Sequence, residues 1–128
     1  MVFVVDASVM VKLVLDETAS HEVRAWYQSK AAERKLAPHI LWSEVGRALQ
    51  KNRGGFTTKQ LATQHEDVVA TVEFCSVPAA AVWVCADDLT FHDAQYVALA
   101  KDEKATLVSC DKDMVKAARK AGIDVVAF

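Results

Sequence analysis

Two carboxylates end apolar runs in this chain. Asp6 follows Val2 to Val5, and Asp111 follows Ala105 to Cys110. Short, continuous runs of this kind mark strands buried on both faces of a parallel sheet, and such sheets bind ligands beyond the carboxyl ends of their strands. Two acids delivered to one edge repel each other unless something compensates them. A divalent cation is the usual compensation, because Mg2+ and Mn2+ prefer oxygen ligands and are typically held by a few carboxylates together with substrate phosphate. Glu44, set among Ile40, Leu41, Trp42 and Val45, is a candidate to complete such a set. Asp93 is another, at the start of an expected helix, where the backbone amides favour a carboxylate.

Each acid also has a plainer reading. Asp6 and Asp111 are well placed as helix N-caps, and Asp93 could simply answer the helix dipole. Glu44 as a solvated helix residue fits less well with apolar neighbours on both sides. Asp113 could reach a metal through water or cap the following helix. The pairs Asp16-Glu17, Glu66-Asp67, Asp87-Asp88 and Asp102-Glu103 read as solvated turn or helix residues. His21, His39, His65 and His92 contain no i, i+3 or i, i+4 pair, so they form no metal set.

The elements that must position these acids alternate between strand and helix. Val2 to Val5 is a strand, followed by a helix that Ser8 is placed to cap. A second helix is expected from His21 to about Arg34, and a short strand from Lys35 to Ala37. Pro38 suits the first turn of a third helix, which carries Glu44 and stops at Gly54-Gly55. Thr57 or Thr58 then caps a fourth helix, and Phe74 to Val77 reads as extended. Ala79 to Leu89 is too densely apolar to show a period and is taken as helix. Phe91 to about Lys104 is helical and Ala105 to Cys110 a buried strand. Met114 to Ala121 forms a basic amphipathic helix, and Asp124 to Phe128 a last strand. The pattern predicts an α/β fold, a mostly parallel central sheet with helices on both faces, in one domain over residues 1–128.

With 52% hydrophobic residues among 128, one continuous core is readily filled. A net charge of −2 excludes binding of a polyanion through bulk basicity, so such a substrate has to be attracted locally. Lys12, Arg47 and Lys112 lie near the acids in sequence and could meet phosphates, although solvated helix faces explain them equally well. Three cysteines without C-x-x-C spacing argue against a disulfide framework or a zinc site and suit a reducing cytoplasm. No run has the length of a membrane span, and Val2 to Val5 is too short for a signal-peptide core.

Four segments, V-V-D-A-S, P-H-I-L-W-S-E-V-G-R-A-L, F-H-D-A-Q-Y-V-A-L-A and L-V-S-C-D-K-D-M, resemble in order and spacing the successive motifs of PIN domains, above all those of VapC-type toxins. None is specific singly; the ordered set, covering essentially the whole chain, is. The resemblance places the family's acids on Asp6, Glu44, Asp93 and Asp111 and its hydroxyl position on Ser109. It implies a Mg2+- or Mn2+-dependent endoribonuclease in which Ser8 and Ser109 orient the carboxylates. It further implies a homodimer and inhibition by a small antitoxin protein. A solitary RNA-processing nuclease and a non-catalytic interaction module of the same fold are the alternatives. A phosphate-accepting receiver domain also carries an Asp after its first strand, but it needs a lysine at a later strand end that this chain lacks.

Overall fold

The computed structural model describes residues 1–128. Five strands form one sheet: β1 (Val2–Val5), β2 (Arg34–Pro38), β3 (Glu73–Cys75), β4 (Thr106–Ser109) and β5 (Val125–Ala127), in the order β3-β2-β1-β4-β5. Every pairing is parallel, so the sheet is wholly rather than mostly parallel. The chain steps from β1 outward through β2 to β3, returns to β4 on the other side of β1, and steps outward again to β5. The strand order therefore reverses between β1 and β4, and the crevice at such a switch point is where open α/β sheets bind ligands.

Seven helices cover the sheet in two groups. The helices α1 (Ala7–Val14), α2 (Ser20–Ser29), α3 (Ile40–Lys51) and α4 (Thr58–Val69) pack on one another, while α5 (Ala79–Val84), α6 (Phe91–Asp102) and α7 (Lys112–Lys120) form a second group. Right-handed crossovers put the two groups on opposite faces. Helix α6 lies against β1, β2 and β4 and is buried almost all round from Ala94 to Ala100, as expected of a helix at the centre of a layer. A continuous cluster of 27 buried residues joins Phe3, Val4 and Val5 to Leu36, Leu41, Tyr96, Leu107 and Met114.

The structure corrects several boundaries. Helix α2 stops at Ser29 instead of running to Arg34: Ala31-Ala32-Glu33 favours helix but offers no apolar side chain worth burying. Pro38 closes β2 rather than opening α3. It lies past Leu36, the last β2 residue in register with β1, so its missing N–H removes no bond on that side. The third strand begins at Glu73, and the Ala79 to Leu89 segment is helical only to Val84. Thr57 caps α4 in a capping box with Gln60.

Candidate active site

Asp6 follows the central strand, its backbone N–H donating to Val108 O across the β1–β4 seam. It occupies the N-cap position of α1, yet its side chain makes no capping bond. Instead Oδ2 accepts from Ser8 Oγ at 2.7 Å and Ser109 Oγ at 2.9 Å. Ser8 therefore does not cap the helix as its sequence position suggested. Both hydroxyls are themselves fixed, because Cys110 N donates to Ser8 Oγ and Asp111 N to Ser109 Oγ. Each hydroxyl proton is thereby turned onto Asp6, which locks the carboxylate in one orientation. Burial pushes the Asp6 carboxyl up to about 6, against the pull of the two serines, and the charges of Glu44 and Asp93 add to the rise.

The other acids converge on this point from three elements. Glu44 projects from the middle of α3, and its Oε1 accepts a 2.5 Å bond from the Tyr96 hydroxyl on α6. Asp93 sits in the first turn of α6, one turn before Tyr96. Its carboxyl is raised by partial burial and by the nearby charge of Asp111, with a smaller push from Asp113. Asp111 does cap α7, its Oδ1 accepting from Asp113 N and Met114 N at 2.9 and 3.1 Å. The plain reading thus holds for one of its oxygens, while Oδ2 takes no hydrogen bond. None of Asp6, Glu44, Asp93, Asp111 or Asp113 forms a salt bridge. The set consists of hard oxygen donors at one sheet edge without a cationic partner, which suits a small divalent cation. As the side chains stand, no three His, Cys, Asp or Glu are gathered tightly enough to ligate a single ion.

Tyr96 is the residue that sequence reasoning missed. Two signals pointed to it: a phenol within a helix otherwise buried through apolar atoms needs a partner for its hydroxyl, and i, i+3 spacing puts it on the face of Asp93. Its own proton is held firmly, because burial and the Glu44 carboxylate both raise the phenol. The cations divide. Lys12 is engaged with Glu17 at 3.3 Å. Arg47 and Lys51 are exposed and unpaired, and with Glu44, Asn52 and His92 they line a cavity of about 330 Å3 beside the acids. Lys112 is exposed at the start of α7.

Comparison with known proteins follows the same lines. A family model described as PIN domain matches residues 3–120. No curated protein matches the chain. Among solved structures, PAE2754 from Pyrobaculum aerophilum is similar at 22% identity, with a TM-score of 0.74 over 98% of this chain and 87% of that one. VapBC2 from Rickettsia felis, bound to a DNA fragment from its promoter, is similar at 13% identity and TM-score 0.73, over 99% and 98%. VapC20 of Mycobacterium tuberculosis, a toxin that cleaves the sarcin–ricin loop, is similar at 17% identity and TM-score 0.72, over 90% and 94%. At these identities the likeness shows the fold alone.

Proposed function

The chain belongs to the PIN-domain family, and from that premise we propose that it is a metal-dependent endoribonuclease, acting as the toxin of a toxin–antitoxin pair. The observation that carries the reading is the buried Asp6 carboxylate, fixed by Ser8 and Ser109 at the switch point, with the charges of Glu44 and Asp93 acting on it, Asp111 acting on Asp93, and none of the four in a salt bridge. Asp6, Glu44, Asp93 and Asp111 would hold the ion, with Asp113 at the margin. A bound Mg2+ or Mn2+ supplies a lowered pKa for water and neutralises charge on the phosphate.

The chain's own residues do the positioning. Ser8 and Ser109 hold Asp6, the amides of α7 hold Asp111, and Tyr96 holds one oxygen of Glu44, leaving the other to orient water or an ion. Glu44, Asp93 and Asp111 are all part-exposed, so closing the set on one ion takes side-chain rotation at these three while Asp6 stays fixed. Arg47 and Lys51, next to Glu44, meet the substrate backbone.

RNA as substrate, and a small antitoxin protein as partner, rest on the family and on what the VapC20 and VapBC2 structures are described as doing. A homodimer is supported by the exposed apolar residues Trp83, Val84 and Phe91 on the α5–α6 side, where the two rings stand 5.0 Å apart. No helix is long and apolar enough to cross a membrane, in keeping with a cytoplasmic site of action. Purified protein incubated with a mixed RNA pool in Mg2+ or Mn2+ should cleave it and stop in excess EDTA. Full cleavage in EDTA would overturn the metal dependence.

A further inference from the structure

A second cavity, of about 430 Å3, lies on the far side of Asp111 from Arg47 and Lys51. Its charged lining is Lys112, Lys116 and Arg119, and no Asp or Glu contributes to it. The three cations are exposed, form no salt bridge and make no side-chain hydrogen bond. Most cations of this chain form no salt bridge, so what sets this group apart is that three of them line one cavity with no acid beside them, in a molecule of net charge −2. Helical spacing of four and three residues puts all three on one face of α7. Val115 and Phe128 supply an apolar wall, and the Phe128 ring is held edge-on against Trp26 at a centroid distance of 6.0 Å.

The order of strands fixes where this cavity lies relative to the acids. Along the carboxyl edge the chain presents α3 after β2, Asp6 after β1, Cys110 and Asp111 after β4, and Phe128 after β5. The Arg47–Lys51 cavity, the acidic centre and the α7–β5 cavity therefore follow one another along a single line. Neighbouring strands lie about 4.8 Å apart, so β1 to β5 spans roughly 10 Å, and Lys116 and Arg119 stand about 6 and 10 Å further along α7 than Lys112, which puts the cavity within reach of a nucleotide a few positions from the one at the acids.

We propose that the α7–β5 cavity is a flanking-nucleotide site: Lys116 and Arg119, with Lys112, hold a backbone phosphate of single-stranded RNA a few nucleotides from the cleaved linkage, and the base beside it rests on the Val115–Phe128 wall. Cations that track a backbone beside an apolar or aromatic platform are what single strands require. An acidic peptide would answer the cations through carboxylates but has no ring on each repeating unit to set against the wall, as a nucleic-acid strand does. The inference rests on the nuclease reading above, and binding measured apart from cleavage separates the two.

The test uses Lys116→Ala/Arg119→Ala, both exposed and outside the acidic centre. Anisotropy of a short labelled RNA of mixed sequence, measured in Mg2+ on a cleavage-inactive Asp93→Asn background, should show binding weakened by about tenfold or more. The slope of log affinity against log salt should become shallower by about 0.7 for each cation removed. In the active background KM should rise with kcat nearly unchanged. Val115→Ser should weaken binding without altering the salt slope. Unchanged affinity and slope in the double variant, while the parent still cleaves RNA, would overturn the site and leave the nuclease reading standing. Loss of binding to an acidic peptide alone, with RNA binding intact, would assign the cavity to a protein partner and equally overturn it. Failure of the parent to cleave any RNA would remove the nuclease reading itself.

Discussion

At the amino ends of β1, β2 and β3 the charges are matched. The Met1 ammonium meets Glu33 at 2.7 Å, and Arg34 grips Glu73 through two bonds of 2.9 and 3.0 Å. Lys35, only 5% exposed, donates to the Lys30 and Glu33 carbonyls and lies over the Tyr27 ring. At the carboxyl ends of the same sheet, Asp6 is equally buried yet shares its surroundings with two further acids and no cation. Both edges bury a charge. Each is hydrogen-bonded by neutral groups, Lys35 by two carbonyls and Asp6 by two hydroxyls, but the charge nearest Lys35 is the opposite one of Glu33, whereas those nearest Asp6 are the like charges of Glu44 and Asp93. That difference is the ground on which we propose the carboxyl edge as the working one, since acids perturbed by burial and like charge concentrate at functional sites.

The contrast breaks most visibly at Asp6. Asp6→Asn keeps the shape and lets the amide oxygen accept from Ser8 and Ser109, so cleavage of RNA should fall by about a thousandfold or more while far-UV circular dichroism stays unchanged. Its effect on stability runs the other way. The Asp6 carboxyl is raised in the folded state, so the stability it carries is complete below its unfolded value near 3.8 and is lost as pH rises through about 6. Ionising it within the metal-free fold costs about 3 kcal/mol at neutral pH. Urea unfolding in EDTA should therefore show wild type weakening between mildly acid and neutral pH, with a smaller fall in Asp6→Asn. Parallel curves for the two proteins would mean that Asp6 is not the strained group.

Tyr96→Phe probes the same edge more gently. It removes the proton given to Glu44 and little else, so kcat should drop roughly tenfold to a hundredfold, with a loss of about 1 kcal/mol in urea. A variant of wild-type activity would show that Glu44 needs no such orientation. At the amino edge, Arg34→Ala breaks a fully solvated pair, and RNA cleavage should not change. An activity loss there would dissolve the distinction between the edges.

How far the sequence alone reached follows the same division. Asp6 and Asp111 were legible because each ends a buried strand, whose continuous apolar run is an unmistakable signal. The role of Ser109 came through family likeness, and that of Ser8 was half visible: its nearness to Asp6 in sequence could not reveal that it turns away from the helix. The strand from Lys35 was legible, but the end of α2 was misjudged because Ala31 to Arg34 has helical propensity and no local signal marks the stop at Ser29. The link from Glu44 to Tyr96 spans 52 residues, and no local pattern encodes it. The α7 cations were visible as a basic face, but the wall they stand against belongs to β5 and is assembled only by folding.

The central claim is that Asp6, Glu44, Asp93 and Asp111 act as one ion-binding centre, and a calorimetric titration of Mn2+ into metal-free protein tests it most directly. Wild type should show saturable binding, and Asp93→Asn should bind at least about tenfold more weakly, as expected when a ligand is removed from a shared site. Absence of Mn2+ binding in wild type, or equal affinity in the two proteins, would contradict the account.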